Sequence, residues 1–467
     1  LSDPHEKKYT LDYYLKLARE LKAAGTHVLA IKDMGGLCRP RAAYALVKAL
    51  REETGLPLHF HTHDTSGIGA ASVLAAIEAG ADAVDGAIDA LSGLTSQPNL
   101  GSIVEALRFG PRDSGLDPAA LRVICAYFEQ VRRLYVAFES DVRAGASEVY
   151  VHGMPGGQYT NLREQARALG VGDARWPEVA RAYAEVNELC GDIVKVTPTS
   201  KAVGDLALVM VTRGLSRAQL TDPATEVAFP ESVVQLFRGE LGQPYGGFPA
   251  ALQRKVLNGA APLTGRPGAL LPAVDLEAQR RSLGERFPGP VSDEDLASWL
   301  MYPRVWEDYA RERQQYGDLG LLPTPVFFYG MQPGDEISVE LERGKTLIVR
   351  YVATSEAHED GTRTVFFELN GQPRSVRVRD LAQAAQRPPA RKVEPGNAHH
   401  VGAPMPGTVT TVAAKAGARV ARGEALLTLE AMKMETAVRA ESEGEVAEVL
   451  VQPGATVDLK DLLVVLR

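Results

Sequence analysis

The 467-residue sequence contains few of the features that place a protein in a membrane or an oxidising compartment. No apolar run reaches the roughly 18 residues that a membrane-spanning helix needs. The first residues, LSDPHEKKYT, form neither a signal peptide nor an amphipathic transit peptide. Only three cysteines occur, without disulfide or metal-site spacing, which indicates a reducing cytosol. We therefore expect a cytoplasmic protein with no membrane partner.

An excess of positive charge and an initiator methionine are also absent. The chain has 51 Lys and Arg against 59 Asp and Glu, and its formal net charge of −8 argues against nucleic acid as a partner. Because the first residue is Leu1, we interpret the chain as beginning inside a longer protein. A hydrophobic content of 45% is typical of globular protein, and the length favours about three domains.

The C-terminal region contains an internal duplication. Six positions recur at a constant offset of 37 residues: Gly407 and Gly444, Val409 and Val446, Val412 and Val449, Gly417 and Gly454, Val420 and Val457, Leu426 and Leu463. Alternating apolar residues between turn glycines predict two similar β-sheets that pack on each other. Lys433 lies where the first half passes into the second, so we expect it at a hairpin tip.

A lone lysine in a turn is most often simply solvated, but the neighbours of Lys433 change that interpretation. Met432 and Met434 are apolar residues at an exposed tip, which requires a reason. The stretch LEAMKMETAVRA resembles the biotinyl (biotin carboxyl carrier) domain, whose signature is Ala-Met-Lys-Met. The Asp-Lys-Ala typical of the related lipoyl domain is absent. The resemblance implies that Lys433 carries biotin in amide linkage.

At the N-terminal end, helical and strand-like patterns alternate. Helices are predicted near 9–24, 39–53 and 69–79, and buried strands near 26–31, 57–62 and 83–88. This alternation predicts parallel βαβ units, with functional side chains just after each strand. A closed parallel barrel needs eight strands. Either the sheet is open, or five further strands precede this sequence.

The rest of the chain divides by composition. Residues 115–310 have a mostly helical pattern, with polar loops at 152–161 and 195–201. Alternating strands follow near 336–341, 346–353 and 363–369, and Asn370-Gly371 predicts a hairpin turn into 374–378. A segment rich in Pro, Ala and charge reads as a tether. The predicted domains are a partial barrel (1–115), a helical extension (116–320), a small β-rich module (321–382), a linker (383–399) and the biotinyl domain (400–467).

His61 and His63 stand at the end of the second predicted strand. Residues two apart on a strand point to the same side, so both imidazoles can reach one metal ion. Ligand and structural roles are about equally favoured by this pattern alone. Lys32 ends the preceding strand, where a bare ammonium would repel a metal and resist burial. A salt bridge to Asp33, a Schiff-base amine and a carbamylated metal ligand all remain open for it.

Five motifs resemble the carboxyltransferase domain of the pyruvate carboxylase family: IKDMGGL, HFHTHDTSG, LSGLTSQPNLGSIVEAL, ASEVYVHGMPGGQYTNL and GDIVKVTPTSKAVGDLAL. With FFELNGQPRSV and the biotinyl domain, the resemblance covers essentially the whole chain. It implies the last three strands of an (α/β)₈ TIM barrel, a helical extension, a remnant of an allosteric and tetramerisation module, and an all-β biotinyl domain.

The resemblance also implies site residues. In the family a divalent metal, Mn²⁺ or Zn²⁺, is held by an Asp, a carbamylated Lys and two His. Lys32, His61 and His63 match three of these ligands, whereas the Asp and the substrate-binding Arg and Gln have no match here. Thr197 matches the catalytic threonine, which passes a proton between pyruvate and biotin. The pocket for biotin and substrate is matched by Gln158, Ser200 and Lys201.

The implied activity is transfer of a carboxyl group from carboxybiotin to pyruvate, giving oxaloacetate for gluconeogenesis. The implied partners are biotin protein ligase, an ATP-dependent biotin carboxylase domain outside this sequence, acetyl-CoA as an effector, and three further copies in a homotetramer. One alternative is the α subunit of oxaloacetate decarboxylase or a transcarboxylase subunit, which usually read His-Cys-His where this chain has His-Thr-His. A second alternative is a non-catalytic biotin carrier.

Overall fold

The computed structural model describes residues 6–358, 361–380, 391–394, 397, 399–431 and 434–467. The chain divides into two compact units, Leu1–Ala269 together with Ala390–Arg467, and Leu270–Pro389. Over the described ranges, we find no helix with both the length and the apolar character needed to cross a membrane.

The first unit begins with three parallel strands, β1 (Leu29–Asp33), β2 (Leu58–Thr62) and β3 (Ala83–Val84), in the order β1-β2-β3. The helices α1 (Leu11–Ala23), α2 (Pro40–Thr54), α3 (Gly69–Glu78) and α4 (Leu100–Leu107) accompany them. Proline in the first turn of α2 and a left-handed Gly55 at its end explain why that helix has these bounds. The predicted parallel βαβ units are confirmed.

The burial pattern of β2 explains how its polar residues are placed. Leu58, Phe60 and Thr62 are buried, while His59 and His61 between them are only partly so, as in any pleated strand with one core face. Leu58 and Phe60 pack with α2 and α3 in one hydrophobic core. His59 and His61 therefore point to the other face of the strand.

Residues 89–310, all of them described, add no strand to this sheet. The strand predicted at 83–88 is shorter than expected, because beyond Ala83–Val84 the segment makes only a single bridge, from Ala87 to Asn99. The three strands and their helices thus form part of a barrel-type sheet, with β1 at one edge of the described strands.

A group of helices follows in the same unit. These are α5 (Pro118–Leu134), α6 (Val149–His152), α7 (Gly156–Ala168), α8 (Trp176–Leu189), α9 (Thr199–Arg213), α10 (Arg217–Thr221), α11 (Glu231–Arg238) and α12 (Ala250–Val256). Their core includes the fully buried Tyr183 and Phe237. The polar loops predicted at 152–161 and 195–201 are partly wrong, because α7 and α9 begin inside them. Tertiary packing of the later turns outweighs the polar composition of the first turns.

The second unit contains α13 (Leu276–Arg286), α14 (Asp293–Met301), α15 (Pro303–Tyr316), α16 (Thr324–Tyr329), β4 (Glu336–Glu342), β5 (Lys345–Thr354), β6 (Thr362–Leu369) and β7 (Gln372–Arg379). The strands form an antiparallel sheet in the order β4-β5-β6-β7. Asn370 and Gly371 have φ values of 49° and 75°, as a two-residue hairpin turn requires. The β-rich sequence predicted from residue 321 begins later, because proline in the first turn of α16 starts a helix there.

The C-terminal module of the first unit contains β8 (His400–Gly402), β9 (Gly407–Val412), β10 (Arg419–Val420), β11 (Ala425–Ala431), β12 (Met434–Arg439), β13 (Gly444–Val449), β14 (Thr456–Val457) and β15 (Leu462–Leu466). They form two four-stranded sheets, β10-β13-β15-β8 and β12-β11-β9-β14, around a shared apolar core. The duplication is confirmed, since β9, β10 and β11 recur as β13, β14 and β15. Strands β11 and β12 pair as an antiparallel hairpin. Lys433 itself, between them, and most of the predicted linker lie outside the described residues.

Candidate functional site

Two histidine rings meet at the C-terminal end of β2. His61 lies on the strand and His63 directly follows its last residue, and their Nε2 atoms are 3.4 Å apart. His61 Nδ1 lies 2.7 Å from Asp85 Oδ2, and His63 Nδ1 lies 2.6 Å from the Thr95 carbonyl oxygen. The predicted convergence of the two imidazoles is confirmed.

These hydrogen bonds determine where the ring protons are. Asp85 and the Thr95 carbonyl can only accept, so each Nδ1 carries the proton and each Nε2 presents a lone pair in the neutral ring. Two lone pairs 3.4 Å apart repel each other unless a cation lies between them. Proteins orient metal-binding imidazoles by the same device, a carboxylate or carbonyl behind each ring. The pair therefore fits a divalent metal.

Electrostatics favour a neutral ring at His63. Burial is the main cause that lowers the pKa of His63, and the nearby His61 and Lys32 add to it, while the Thr95 carbonyl opposes it. Desolvation raises the pKa of Asp85, but hydrogen bonds from His61 and His59 outweigh it, so the net shift is downward. A neutral imidazole backed by an ionised carboxylate can offer its lone pair to a metal.

Lys32 lies beside the pair, because its backbone is in register with His61 on the neighbouring strand. A salt bridge to Asp33 does not form in the described chain. The Asp33 carboxylate instead accepts hydrogen bonds from two backbone N–H groups of the following turn and from the Thr62 hydroxyl. No cluster of three or more His, Cys, Asp or Glu suited to a metal occurs among the described residues. The candidate donor set is therefore two imidazoles and the Lys32 side chain.

Gly156 brings the helical region against the histidine pair. It begins α7, and a Cβ at this position would lie 2.8 Å from His63 Nδ1 and 2.7 Å from the Thr95 carbonyl oxygen. Only a residue without a side chain permits this approach. The Gly156 N–H also donates to the Met34 carbonyl, in the turn after β1, at 2.8 Å. The VHGMPGGQ motif thus closes one side of the site.

Thr197 is exposed and lies in the turn before α9. Its hydroxyl has no protein hydrogen-bond partner within the described ranges. Thr199 holds the turn from the other side, since its Oγ1 lies 2.9 and 2.7 Å from the carbonyl oxygens of Val194 and Val196. The Thr199 bonds therefore fix the turn, while the Thr197 hydroxyl makes no hydrogen bond within the described ranges.

A cavity of about 530 Å³ joins this turn to the end of β1. Lys32 and Asp33 line it from the strand, and Lys195 and Val196 line it from the turn. The residues next to Thr197 and the candidate metal ligand Lys32 therefore face one space.

Three further predicted site residues gather at the start of α9. Ser200 is 2% exposed in its first turn. Lys201 Nζ lies 2.6 Å from Asp205 Oδ2, one turn further along. The Gln158 amide reaches the same helix from α7, where a Cβ at Gly204 would lie 2.6 Å from its Nε2.

The C-terminal module contacts the helical region of the same unit. Strand β12 packs against α11, which in turn packs against α9. Arg422 forms an ion pair with Glu226 at 3.2 Å. Glu435 and Arg439 of β12 are charged neighbours of Glu231 on α11. The strand that follows Lys433 thus lies against α11, which packs against the helix that contains the predicted pocket residues Ser200 and Lys201.

Sequence reasoning missed Asp85, Thr95 and Gly156. Asp85 is 24 residues from His61, and Thr95 is 32 residues from His63, so no local pattern connects the partners. The one available signal was the position of Asp85 directly after the third strand, at the edge where polar side chains of such folds gather.

Three protein-family models match the chain. They are described as HMGL-like, residues 1–127; conserved carboxylase domain, residues 149–350; and biotin-requiring enzyme, residues 399–466. Together with the partial barrel and the duplicated β module, these matches define a protein of the class that joins a carboxylase-type domain to a biotinyl domain.

Individual relatives and solved structures are more specific. The chain is 46% identical over 461 residues to pyruvate carboxylase of Bacillus subtilis (strain 168), and 46% identical over 469 residues to mitochondrial pyruvate carboxylase of Homo sapiens. These alignments cover 99% of this chain and 40% of each relative. The complete multifunctional pyruvate carboxylase from Rhizobium etli matches with a TM-score of 0.76 and 56% identity, over 98% of this chain and 42% of that chain.

The carboxyl transferase domain of the Rhizobium etli enzyme, solved with pyruvate and biocytin, matches with a TM-score of 0.77 and 58% identity, over 80% of this chain and 62% of that chain. The chain therefore corresponds to the C-terminal carboxyltransferase and biotinyl part of pyruvate carboxylases. It spans about 40% of the length of the curated relatives that it matches.

Proposed function

We propose that this chain transfers a carboxyl group from covalently bound biotin to pyruvate, giving oxaloacetate. The observation that carries the proposal is the pair of oriented imidazoles, with Nε2 atoms 3.4 Å apart, beside Lys32, which lines a cavity together with Lys195 and Val196 of the turn that contains Thr197. A related carboxyl transferase domain whose structure contains pyruvate and biocytin supports these two ligands. In this proposal, ATP-dependent carboxylation of biotin belongs to a separate biotin carboxylase domain.

A divalent metal, Mn²⁺ or Zn²⁺, would be held by His61, His63 and a carbamylated Lys32. When bound, it would supply a Lewis acid that stabilises negative charge as the pyruvate methyl group loses a proton. Carbamylation removes the ammonium charge of Lys32 and provides an anionic oxygen ligand instead. Asp85 and the Thr95 carbonyl hold the imidazoles in the orientation that ligation needs.

Thr197 would hold and pass the proton. A threonine hydroxyl is a poor general base, but it can accept one proton while giving another if it bridges donor and acceptor at about 2.7–2.8 Å. In this proposal the proton moves from the pyruvate methyl group to N1 of biotin. The lack of a protein partner for the Thr197 hydroxyl in the described chain supports this role.

Biotin would be attached to Lys433 by biotin protein ligase, and Gln158, Ser200 and Lys201 would line the pocket that receives it. The contact of β12 with α11 supports a short path from carrier to pocket, because α11 packs against the helix that contains Ser200 and Lys201. We propose in addition that the whole enzyme is a homotetramer and that acetyl-CoA is its effector.

The test is a comparison of His63→Ala with His27→Ala in the full-length enzyme that contains this chain. His27 is an exposed histidine in the same barrel region, so it is a matched control. We expect His63→Ala to lose bound metal and to decarboxylate oxaloacetate poorly with free biotin, the reverse of the proposed transfer, while His27→Ala retains both. If the wild-type protein is biotinylated but does not decarboxylate oxaloacetate, the chain is a non-catalytic biotin carrier.

A further inference from the structure

A carboxylate is completely buried in the second turn of α9. Asp205 is 0% exposed. Its Oδ2 accepts a hydrogen bond from Lys201 Nζ at 2.6 Å and another from Ser232 Oγ, on α11, at 2.5 Å. The carboxylate therefore connects the helix that contains the predicted pocket residues to the helix that contacts the carrier module.

Stability does not explain this group. Asp205 Oδ1 is buried, and among the described residues no donor lies within hydrogen-bonding distance of it. Burial raises the pKa of Asp205 as the largest effect, and Lys201 and Ser232 oppose that rise only in part. A buried ion pair contributes little stability compared with apolar residues, and an unsatisfied buried oxygen is destabilising. A carboxylate retained at such a cost needs another role.

The position of Lys201 suggests that role. Its side chain is 35% exposed, so its ammonium lies between the buried carboxylate and the surface. A lysine has a flexible four-carbon stem and does not hold one position without a partner. Ser200 precedes Lys201 in the chain, and the Gln158 amide contacts the helix at Gly204, directly before Asp205. The buried Asp205 carboxylate thus lies beneath the predicted pocket side chains of Gln158, Ser200 and Lys201.

We propose that Asp205 is a positioning residue that holds the Lys201 ammonium in the biotin pocket, with Ser232 fixing the carboxylate. This inference rests on the proposed function, in which Lys201 contacts biotin. Asp205 acts through Lys201 and does not itself touch substrate. Loss of Asp205 should therefore weaken the binding of biotin more than it slows the reaction of bound biotin.

The test is Asp205→Asn in the full-length enzyme, assayed by biotin-dependent decarboxylation of oxaloacetate with free biotin. We expect the KM for biotin to rise roughly 10- to 100-fold, the range for loss of a hydrogen bond to a charged group, with kcat little changed. Lys201→Met should raise this KM similarly. The double variant should then match Lys201→Met alone, because both changes remove the same interaction.

Asp222→Asn is the matched control. The Asp222 carboxylate accepts bonds from Ala224 N–H and Thr225 Oγ1 in the same helical region, away from Lys201. We expect wild-type KM for this variant. If Asp205→Asn does not fold, Ser232→Ala serves instead, and it should raise the KM in the same direction but by less.

A second measurement does not depend on the proposed function. Acetylation of Lys201 by acetic anhydride, quantified by peptide mass spectrometry, should increase in Asp205→Asn and not in Asp222→Asn, because the ammonium is no longer held by the carboxylate. If Asp205→Asn transfers carboxyl groups and its Lys201 is acetylated faster, but its KM for biotin is unchanged, the positioning role is overturned and the proposed function stands. A lower kcat and a lower melting temperature of Asp205→Asn, with an unchanged KM for biotin, would also overturn the positioning role. A wild-type enzyme without carboxyl transfer would instead refute the proposed function.

Discussion

His61 and His63 are oriented by partners that lie far away in the sequence. Asp85 stands behind one ring and the Thr95 carbonyl behind the other, and both partners come from the segment after the third strand. Sequence patterns identified the two histidines, because their spacing on a strand is local. The partners could not be predicted in the same way, because they meet the rings only after the sheet has formed.

Asp85→Asn tests whether the carboxylate behind His61 matters. An asparagine keeps the size of the side chain but removes the charge that favours a lone pair on His61 Nε2. We expect metal affinity to fall roughly 10- to 100-fold, as is typical for loss of a carboxylate behind a ligating histidine. Competition with a chelator, followed by metal analysis of the protein, measures this change.

Asp82→Asn is the control for that variant. Asp82 lies three residues away, but its carboxylate accepts hydrogen bonds from Arg51 and the Leu58 N–H instead of a histidine. Its replacement should leave metal affinity unchanged. Equal metal affinity in Asp85→Asn and wild type would show that His61 does not need the carboxylate.

Among the elements, those with strong local patterns were predicted correctly. Apolar runs located β1 and β2, period-3.6 patterns located α1 to α3, and the Asn370-Gly371 pair located the hairpin of β6 and β7. The prediction of a polar loop at 152–161 was partly wrong because tertiary packing, and not local sequence, makes part of that segment helical. The first turn of α7 is Gly156-Gly157-Gln158, a poor helix sequence, and it is helical because the later turns of α7 bury Leu162 and Ala166.

The hairpin of β11 and β12 is the element whose role can be tested alone. The register of the two strands, with Ala431 opposite Met434, leaves room for a two-residue connection that contains Lys433. Lys433→Arg keeps the positive charge but removes the acceptor amine. We expect a streptavidin blot of protein co-expressed with biotin protein ligase to show biotin in wild type and none in this variant.

Lys415→Arg is the control in the same module. Lys415 is an exposed lysine between β9 and β10, so its replacement should leave the streptavidin signal unchanged. Biotin that persists in Lys433→Arg would place the attachment on another lysine.

For the molecule as a whole, the histidine pair and the C-terminal module belong to one compact unit, while the sheet β4-β5-β6-β7 belongs to the other. The chain corresponds to about 40% of the length of its curated relatives, and within it the partial sheet has three strands in the described residues. The duplication predicted the two C-terminal sheets, and the βαβ pattern predicted the parallel sheet. The contact between β12 and α11 could not be predicted, because it joins surfaces that are distant in the chain.

The most direct test of the account is Thr197→Ala in the full-length enzyme, with the two half-reactions assayed separately on one preparation. The hydroxyl is uncharged and has no protein partner in the described chain, so folding and metal content should stay the same. Carboxyl transfer to pyruvate should fall by at least the roughly 10²–10⁴-fold typical of a lost acid–base group. ATP-dependent carboxylation of biotin should continue, and Thr197→Ser should retain partial transfer. If both half-reactions fall together, Thr197 is structural; if neither falls, the proton takes another route and the account of this site is wrong.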